Sequence, residues 1–154
     1  MSDWHHAGSL SMLRQMGGSV ALSLAGRAVA IFEDRRAGAE AVYAIDEHCY
    51  HAGGPLHKAH GDIEDILNEP CIRCPLHNYI ISLKSGHSFY QPCTFEKTPE
   101  GKLKPIVGDW TSKGVKQRVH EVKLEGEQIM VRLVLNEPEK EVDADKFAAM
   151  PIKH

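Results

Sequence analysis

Two short motifs in the middle of the chain each combine one cysteine with one histidine. They are Cys49-Tyr50-His51 and Cys74-Pro75-Leu76-His77, with 22 residues between them. All four cysteines of the 154-residue chain lie within residues 49–93, and five of its ten histidines lie within residues 48–77. Four cysteines are too few for a disulfide scaffold, and clustered cysteine and histidine indicate a metal site in a reducing compartment. We therefore expect both motifs to lie in loops that meet at one metal centre.

Two cysteines and two histidines can be the ligands of two different centres. They form a complete tetrahedral set for zinc, and they are also the set of a [2Fe-2S] centre in which two histidines replace two cysteines on one iron. Zinc fingers usually place cysteine near cysteine and histidine near histidine, whereas each motif here supplies one of each. The mixed pairing favours the [2Fe-2S] centre over the zinc site.

Two further cysteines need an explanation. Cys71 lies three residues before Cys74, so a tetrad of Cys71, Cys74, Cys49 and His51 that leaves His77 free is an alternative ligand set. We favour instead a small buried apolar role for Cys71 in the strand that enters the second motif. Cys93 has no ligand partner at a useful spacing, and we expect a packed or surface thiol.

The pattern of apolar residues predicts an all-β fold, because many short strands are separated by glycine and proline turns and almost no helix is indicated. The predicted strands cover residues 20–24, 28–32, 41–45, a short segment around Ile72, 79–83, 115–124 and 129–135, the last two forming a hairpin with its turn at 125–127. Prolines and glycines within residues 92–108 predict a long connection with little regular structure, and residues 142–150 predict one or two weak helical turns. Histidines 48, 57 and 60 flank the first motif, and we expect them on the polar loop surface.

Composition excludes several classes of protein. The net charge is −3 and the pI is near 6.3, which does not fit the basic footprint of a nucleic-acid binder. No apolar stretch approaches the roughly 18 residues of a membrane span. The first ten residues carry Asp3 and no lysine or arginine, so they resemble neither a secretory signal nor a transit peptide. We expect one domain, residues 1–154, in a soluble cytoplasmic protein that binds neither nucleic acid nor membrane.

The two motifs resemble the signature of Rieske-type [2Fe-2S] ferredoxins. The similarity extends to residues 26–32, 42–46, 49–56, 74–86 and 112–120, and the last segment is similar to the soluble Rieske proteins of animals. The resemblance implies an antiparallel β-sandwich or barrel core at about 19–135, with a small inserted cluster-binding subdomain at about 46–83 and a flexible charged tail at 136–154. It also implies one [2Fe-2S] cluster near an exposed tip, with Cys49 and Cys74 on one iron and His51 and His77 on the other.

The sequence departs from the respiratory Rieske proteins at four positions. Gly54 and Leu76 stand where those proteins carry the two cysteines of a loop disulfide, and Tyr79 stands where a serine donates to the cluster. Asn78 replaces the usual glycine after the second histidine, and asparagine tolerates left-handed backbone angles. Fewer hydrogen-bond donors leave the reduced cluster less stabilised, so we predict a midpoint in the lower half of the roughly −150 to +300 mV range of Rieske centres.

The resemblance implies a one-electron carrier that receives its electron from a reductase and passes it to an acceptor such as an oxygenase. We expect no substrate site and no enzymatic activity of its own, because a mononuclear iron site needs two histidines and a carboxylate. The histidines after the second motif (His87, His120 and His154) are too scattered to supply it. A non-redox zinc module and a redox sensor that uses the same cluster remain the alternatives.

Overall fold

The computed structural model describes residues 3–36, 41–59, 62–135 and 141–153. The strands in chain order are β1 (Trp4–Ser9), β2 (Ser19–Leu24), β3 (Arg27–Asp34), β4 (Ala41–Asp46), β5 (Glu64–Ile66), β6 (Glu69–Arg73), β7 (Ile80–Ser82), β8 (His87–Tyr90), β9 (Cys93–Lys97), β10 (Leu103–Val107), β11 (Thr111–Val115), β12 (Val119–Glu125) and β13 (Gln128–Arg132). A short helix α1 (Leu10–Gln15) follows β1, and 3-10 helices cover Leu56–Ala59 and Asp143–Phe147.

The strands form three antiparallel sheets. The first sheet has the order β1-β13-β12-β4-β3-β2, the second has the order β11-β8-β7-β6-β5, and β9 pairs only with β10. Because β4 and β12 are neighbours, the chain between them leaves the first sheet and returns to it. The structure thus confirms the predicted all-β fold with an inserted unit that carries both motifs.

The core explains why β3 is apolar throughout. Val29 and Ile31 point into one buried cluster, with residues of α1, β1 and β13, while Ala30 and Phe32 point into another between the sheets. A strand that is buried on both faces has a continuous apolar run instead of an alternating one. The cluster between the sheets also contains Cys49 and Cys74, so the same packing that joins the sheets holds the cysteines.

Residues 141–153 pack against β3 and against residues 116–118 between β11 and β12. Residues 141–153 are anchored by Asp145, whose carboxylate accepts hydrogen bonds from the guanidinium groups of Arg27 at 2.7 Å and Arg118 at 2.7–2.8 Å. The predicted weak helical turn within 142–150 is present as the second 3-10 helix. The flexible charged tail at 136–154 stays an expectation, and residues 136–140 and 154 lie outside the described residues. Ion pairs to Arg27 of β3 and to Arg118, just before β12, anchor this segment, and its composition does not indicate them.

The prediction of an irregular connection at residues 92–108 is wrong. This segment contains the β9–β10 hairpin, in which Pro105 lies opposite Phe95. A two-stranded ribbon tolerates proline because each strand has an unpaired edge. Pro99 and Gly101 lie in the turn, where the Gly101 N–H donates to the carbonyl of Thr98 at 2.9 Å. The prolines and glycines therefore mark a hairpin turn and its ends.

Two other boundaries differ from the sequence predictions. The predicted strand 115–124 divides into β11, which ends at Val115 in the second sheet, and β12, which begins at Val119 in the first. Its hairpin with β13 is confirmed. Strand β1 was not predicted, because its pattern is broken by a bulge near Gly8 and its partner β13 is remote in sequence. The inserted unit between β4 and β12 also extends beyond the expected 46–83, while the division into domains stays a prediction.

No helix among the described residues is long and apolar enough to span a membrane.

Replacement of Asp145 by asparagine tests the anchor of residues 141–153. Hydrogen bonds from Arg118, together with those from Arg27, hold the pKa of Asp145 well below its ordinary value of 3.8. The carboxylate therefore stabilises the fold fully above about pH 4, and this stability is lost as the pH falls through the lower, folded pKa. We expect Asp145→Asn to lose about 1–3 kcal/mol of unfolding free energy at neutral pH, with a smaller loss below about pH 4. Urea denaturation between pH 3 and pH 7 measures both quantities.

Asp143→Asn is the matched control. Asp143 lies two residues away, is half exposed and pairs with Lys116 at 3.3 Å, so its replacement should cost less than about 1 kcal/mol. Equal losses in the two variants would contradict the anchor role of Asp145.

Candidate metal centre

The two motif loops share one backbone conformation. We call residues 47–55, between β4 and the first 3-10 helix, the first loop, and residues 74–79, between β6 and β7, the second loop. In each loop the cysteine carbonyl accepts the N–H of the residue four positions later, and the cysteine N–H donates to the carbonyl five positions later. These bonds are Gly53 N to Cys49 O (2.8 Å), Cys49 N to Gly54 O (2.9 Å), Asn78 N to Cys74 O (2.8 Å) and Cys74 N to Tyr79 O (2.8 Å).

The residue four positions after each cysteine has a left-handed backbone. Gly53 has φ 75° and Asn78 has φ 62°. Glycine adopts such angles freely, and asparagine is the residue that best replaces it. This geometry confirms the expectation that Asn78 can take the place of the glycine found in related loops.

The two cysteines lie together and are buried. Cys49 is 1% exposed and Cys74 is 2% exposed, and their thiols are hydrogen-bonded to each other. That bond raises the pKa of Cys49 and lowers the pKa of Cys74. Each sulfur also accepts the backbone N–H groups two and three positions later: those of His51 and Ala52 at Cys49, and of Leu76 and His77 at Cys74. Such donors favour the negatively charged sulfur that binds a metal.

The two histidines also lie together, but on the surface. The ring centroids of His51 and His77 are 5.1 Å apart with an interplanar angle of 84°, and both side chains are exposed. The two sequence motifs therefore meet as a buried cysteine pair beneath an exposed histidine pair. The outward orientation of the histidines agrees with the exposed tip that the family resemblance implies.

An aromatic ring and a cation cover the flank of His51. Tyr79 stacks on the His51 ring with centroids 4.0 Å apart and an interplanar angle of 22°. The ammonium group of Lys113, in β11, lies 4.6 Å from the centroid of the Tyr79 ring. The position matched to a serine donor in respiratory Rieske proteins thus holds a ring that packs on a histidine of the site.

The side chain of Gln117 holds the first loop from beneath. Its Nε2 donates to the carbonyls of Asp46 at 3.0 Å and His48 at 2.8 Å, and its Oε1 accepts the N–H of Tyr50 at 3.0 Å. Gln117 is fully buried at the crossing between β11 and β12. The support that Gln117 gives to the first loop was not predicted. The similarity of residues 112–120 to known Rieske proteins is the sequence feature that could have indicated it.

Tyr50 joins the first loop to the second sheet. Its hydroxyl lies 2.7 Å from the Ser88 hydroxyl, and its ring packs edge-on against Tyr79 with centroids 5.8 Å apart. Because Tyr50 lies between Cys49 and His51 in the chain, this contact fixes the direction of both. Its place within the motif was the signal that could have identified it.

Gly54 leaves the space that the second loop occupies. A Cβ atom built on Gly54 would lie 2.6 Å from the Cys74 sulfur and 3.1 Å from the Leu76 Cβ. Any side chain at this position would therefore push the two loops apart. The residues present fit a small buried sulfur-lined site between the loops.

The remaining cysteines lie elsewhere. Cys71 is fully buried in β6 within a different apolar cluster, its thiol donates to the Glu69 carbonyl at 3.3 Å, and burial raises its pKa to about 12. Cys93 is exposed in β9. Cys71 is packed as expected, and Cys93 is a surface thiol, one of the two positions expected for it. Among residues 3–36, 41–59, 62–135 and 141–153, no three histidine, cysteine, aspartate or glutamate side chains converge to hold one metal ion.

The expectation that His48 and His57 lie on the polar surface is wrong. His48 is 3% exposed, with its ring nitrogens 3.3 Å from the Gly53 carbonyl and 3.0 Å from the Met150 carbonyl. His57 is 8% exposed and lies 2.5 Å from the Glu47 carboxylate. Both are buried because the C-terminal segment and the first sheet cover the base of the first loop. His60, the third flanking histidine, lies outside the described residues.

Comparison with known proteins supports the resemblance to Rieske-type ferredoxins. Residues 10–136 match the family described as soluble Rieske-type ferredoxin. A human Rieske domain-containing protein is 46% identical over 111 residues, which cover 72% of this chain and 64% of the human protein.

Two solved structures share the fold. A Mycobacterium tuberculosis protein described as an NADH-dependent nitrite reductase small subunit is 16% identical, with a TM-score of 0.60 over 88% of this chain and 98% of that one. The E. coli protein NirD is 17% identical, with a TM-score of 0.54 over 86% and 97% of the two chains. With its two motif loops and the match over residues 10–136, the chain belongs to the soluble Rieske-type ferredoxin family.

Proposed function

We propose that this protein binds one [2Fe-2S] cluster and carries one electron at a time between a reductase and an acceptor. The observation that carries the proposal is the separation of the ligand candidates into a buried cysteine pair and an exposed histidine pair. Two irons with two protein ligands each require two such pairs, one of sulfur and one of nitrogen. The family normally binds a cluster of this kind, which agrees with the donor set of this chain.

Both loops would supply ligands to the cluster, one cysteine and one histidine each. Cys49 and Cys74 would hold one iron, and His51 and His77 would hold the other. When bound, the cluster supplies the chemistry of accepting and releasing a single electron. The backbone N–H groups directed at both sulfurs stabilise added negative charge there, and burial of the cysteines keeps water from the sulfur side.

The exposed histidines supply the route by which the electron enters and leaves. His51 and His77 are the ligands at the protein surface, so a partner that contacts them is closest to the site. Because the electron moves without a bound substrate, the protein needs only a surface for its partners. The Mycobacterium tuberculosis protein that shares this fold is described as the small subunit of a reductase, and this description is consistent with a reductase as a partner.

A zinc module is the main alternative from a different class. A structural zinc ion needs four ligands within about 2.0–2.3 Å of one point. Here the thiols contact each other and the imidazoles contact each other, so the four candidate ligands lie as two pairs. The pairwise arrangement favours two irons over one zinc. A redox sensor would use the same site, and the identity of its partner would distinguish it from a carrier.

Metal and sulfide analysis tests the cluster. We expect two irons and two acid-labile sulfides per chain, a red-brown protein, and uptake of one electron per chain in a reductive titration. One zinc without sulfide would overturn the proposal.

Cysteine variants test the ligand set. Cys74→Ser should lose the visible spectrum because it removes a ligand from the buried pair, whereas Cys71→Ser should keep it because Cys71 packs in another cluster. His77→Ala should also lose the spectrum. A normal spectrum in His77→Ala, together with loss in Cys71→Ser, would reverse the assignment in favour of the alternative tetrad.

Gln117→Ala tests the support of the first loop. The change leaves the buried N–H of Tyr50 and two carbonyls without their partner, and each unsatisfied group costs about 1–3 kcal/mol. We expect faster loss of the visible spectrum during incubation with an iron chelator. Gln128→Ala, an exposed glutamine in β13, is the control that should match the parent protein. Unchanged cluster retention in Gln117→Ala would show that the loop holds its shape without this side chain.

Lys113→Gln tests the influence of the stacked tyrosine and lysine on the midpoint potential. Removal of a positive charge near His51 makes the addition of an electron less favourable. A unit charge about 4 Å away in water contributes about 1 kcal/mol, and 59 mV corresponds to about 1.4 kcal/mol for one electron. Lys113 acts from beyond the Tyr79 ring, so we expect a fall of no more than about 40 mV. Lys113→Arg should keep the parent value, which we predict in the lower half of the Rieske range. Voltammetry at neutral pH measures all three proteins, and an unchanged potential in Lys113→Gln would contradict the effect.

A further inference from the structure

A groove opens directly beside the exposed ligand candidate His77. Its cavity volume is about 490 Å³, and it runs from the second loop to the β9–β10 hairpin. Tyr79, Tyr90 and Trp110 contribute aromatic surface, and Cys93 and Val107 of the hairpin form the far wall. A partner seated in this groove contacts the histidine pair and the hairpin together.

The hairpin presents an apolar face that nothing in the described chain covers. All ten residues of β9 and β10 are exposed. The register places one set of side chains on the same face, which we call the hairpin face: Cys93, Phe95, Lys97, Leu103, Pro105 and Val107. Three of these are large and apolar, with exposed fractions of 64% for Phe95, 69% for Leu103 and 60% for Val107.

The groove and the hairpin face are one continuous surface. Cys93 and Val107 belong to the hairpin face and also line the groove. Monomeric proteins rarely expose a large contiguous apolar surface, and where one is exposed it usually marks an interaction site. The surface extends from the ligand candidate His77 along both five-residue strands of the hairpin. A surface of this length suits a protein partner better than a small molecule.

The charges at this surface are positive although the chain as a whole carries −3. Arg73 and Lys113 line the groove, and no aspartate or glutamate is among the described residues that line it. Arg73 donates to Glu64 at 2.6 Å, so Lys113 is the cation that faces a partner most freely. On the hairpin face the charged residue is Lys97, whereas Glu96 lies on the opposite face beside Lys104. Carboxylates on the partner complement this arrangement.

We propose that the groove and the hairpin face together form the docking surface for the redox partner, a protein with an apolar contact bordered by carboxylates. This inference rests on the proposed electron-carrier function and names the partner chemistry at the same site. In the docked complex the donor protein is oxidised by one electron, and this protein is reduced by that electron. No proton or group is transferred.

Stopped-flow reduction by an acidic one-electron donor protein tests the docking surface. The probe is a photoreduced plant-type [2Fe-2S] ferredoxin, whose potential lies far below that of Rieske centres. We expect Phe95→Ser/Leu103→Ser to lower the second-order rate constant about tenfold, the effect of losing one well-packed apolar contact. Lys97→Gln should lower the rate at low ionic strength and make its dependence on salt less steep. Lys113 stays unchanged in these variants so that the potential is not altered.

Matched controls come from the β12–β13 hairpin of the first sheet. Leu124→Ser and Lys123→Gln remove the same kinds of exposed side chain away from the groove and should leave the rate unchanged. Reduction by dithionite should be equally fast in all variants, and circular dichroism should show the same fold. A protein that accepts no electron from dithionite would overturn the proposed function itself.

Two results would overturn the docking surface while leaving the carrier function intact. The first is an unchanged rate with the acidic donor in both hairpin variants. The second is a change in the oligomeric state of the pure protein, measured by sedimentation, when Phe95 and Leu103 are replaced; this result would assign the hairpin face to a second copy of this chain.

Discussion

The amide of Gln117 is the contact on which the first loop depends, because one buried side chain satisfies three backbone groups around Cys49. Gln117 can reach them only because the chain crosses between the sheets at that point. The crossing is fixed by the carbonyl of Gly86, which accepts the N–H groups of Lys116 at 3.0 Å and Gln117 at 3.1 Å. A Cβ at Gly86 would lie 2.2 Å from the Gln117 carbonyl oxygen. The position of the first loop therefore depends on the turn after β7, through the hydrogen bonds of Gly86 and Gln117.

A buried charge network supports the same loop from the other side. Asp46, the residue at the end of β4, accepts hydrogen bonds from Arg27 at 2.6–2.8 Å and lies 2.8 Å from the His120 ring. Arg27 and Arg118 also share Asp145 of the C-terminal segment. Removing one member of such a network leaves a buried charge without its partner. The free energy lost in this way exceeds the net free energy that the complete network contributes to stability. Asp145 lies beyond residues 10–136, the part matched to the family.

Local patterns predicted the parts of the structure that local interactions determine. Alternating or continuous apolar runs identified β2, β3, β4 and the β12–β13 hairpin, and the mixed Cys–His spacing identified four residues that the fold brings together. The β9–β10 hairpin was not predicted because prolines and glycines usually mark irregular connections. A two-stranded ribbon tolerates them because each strand has one unpaired edge. Strand β1, the buried position of His48 and the role of Gln117 all depend on partners at least 67 residues away, which no local pattern can show.

The arrangement of the site gives its two ends different environments, and this difference is what an electron carrier needs. The sulfur end is buried and receives four backbone N–H groups, so the protein's fixed dipoles stabilise negative charge there without help from water. The histidine end is exposed, and its surroundings are the Tyr79 ring, the Lys113 cation and the groove. A docked partner excludes water from this end only, and electrostatic interactions strengthen where water is removed. In the proposed complex Lys113 and the partner's carboxylates therefore attract each other more strongly than they would in open solvent, and this attraction acts at the end of the site where the electron is exchanged.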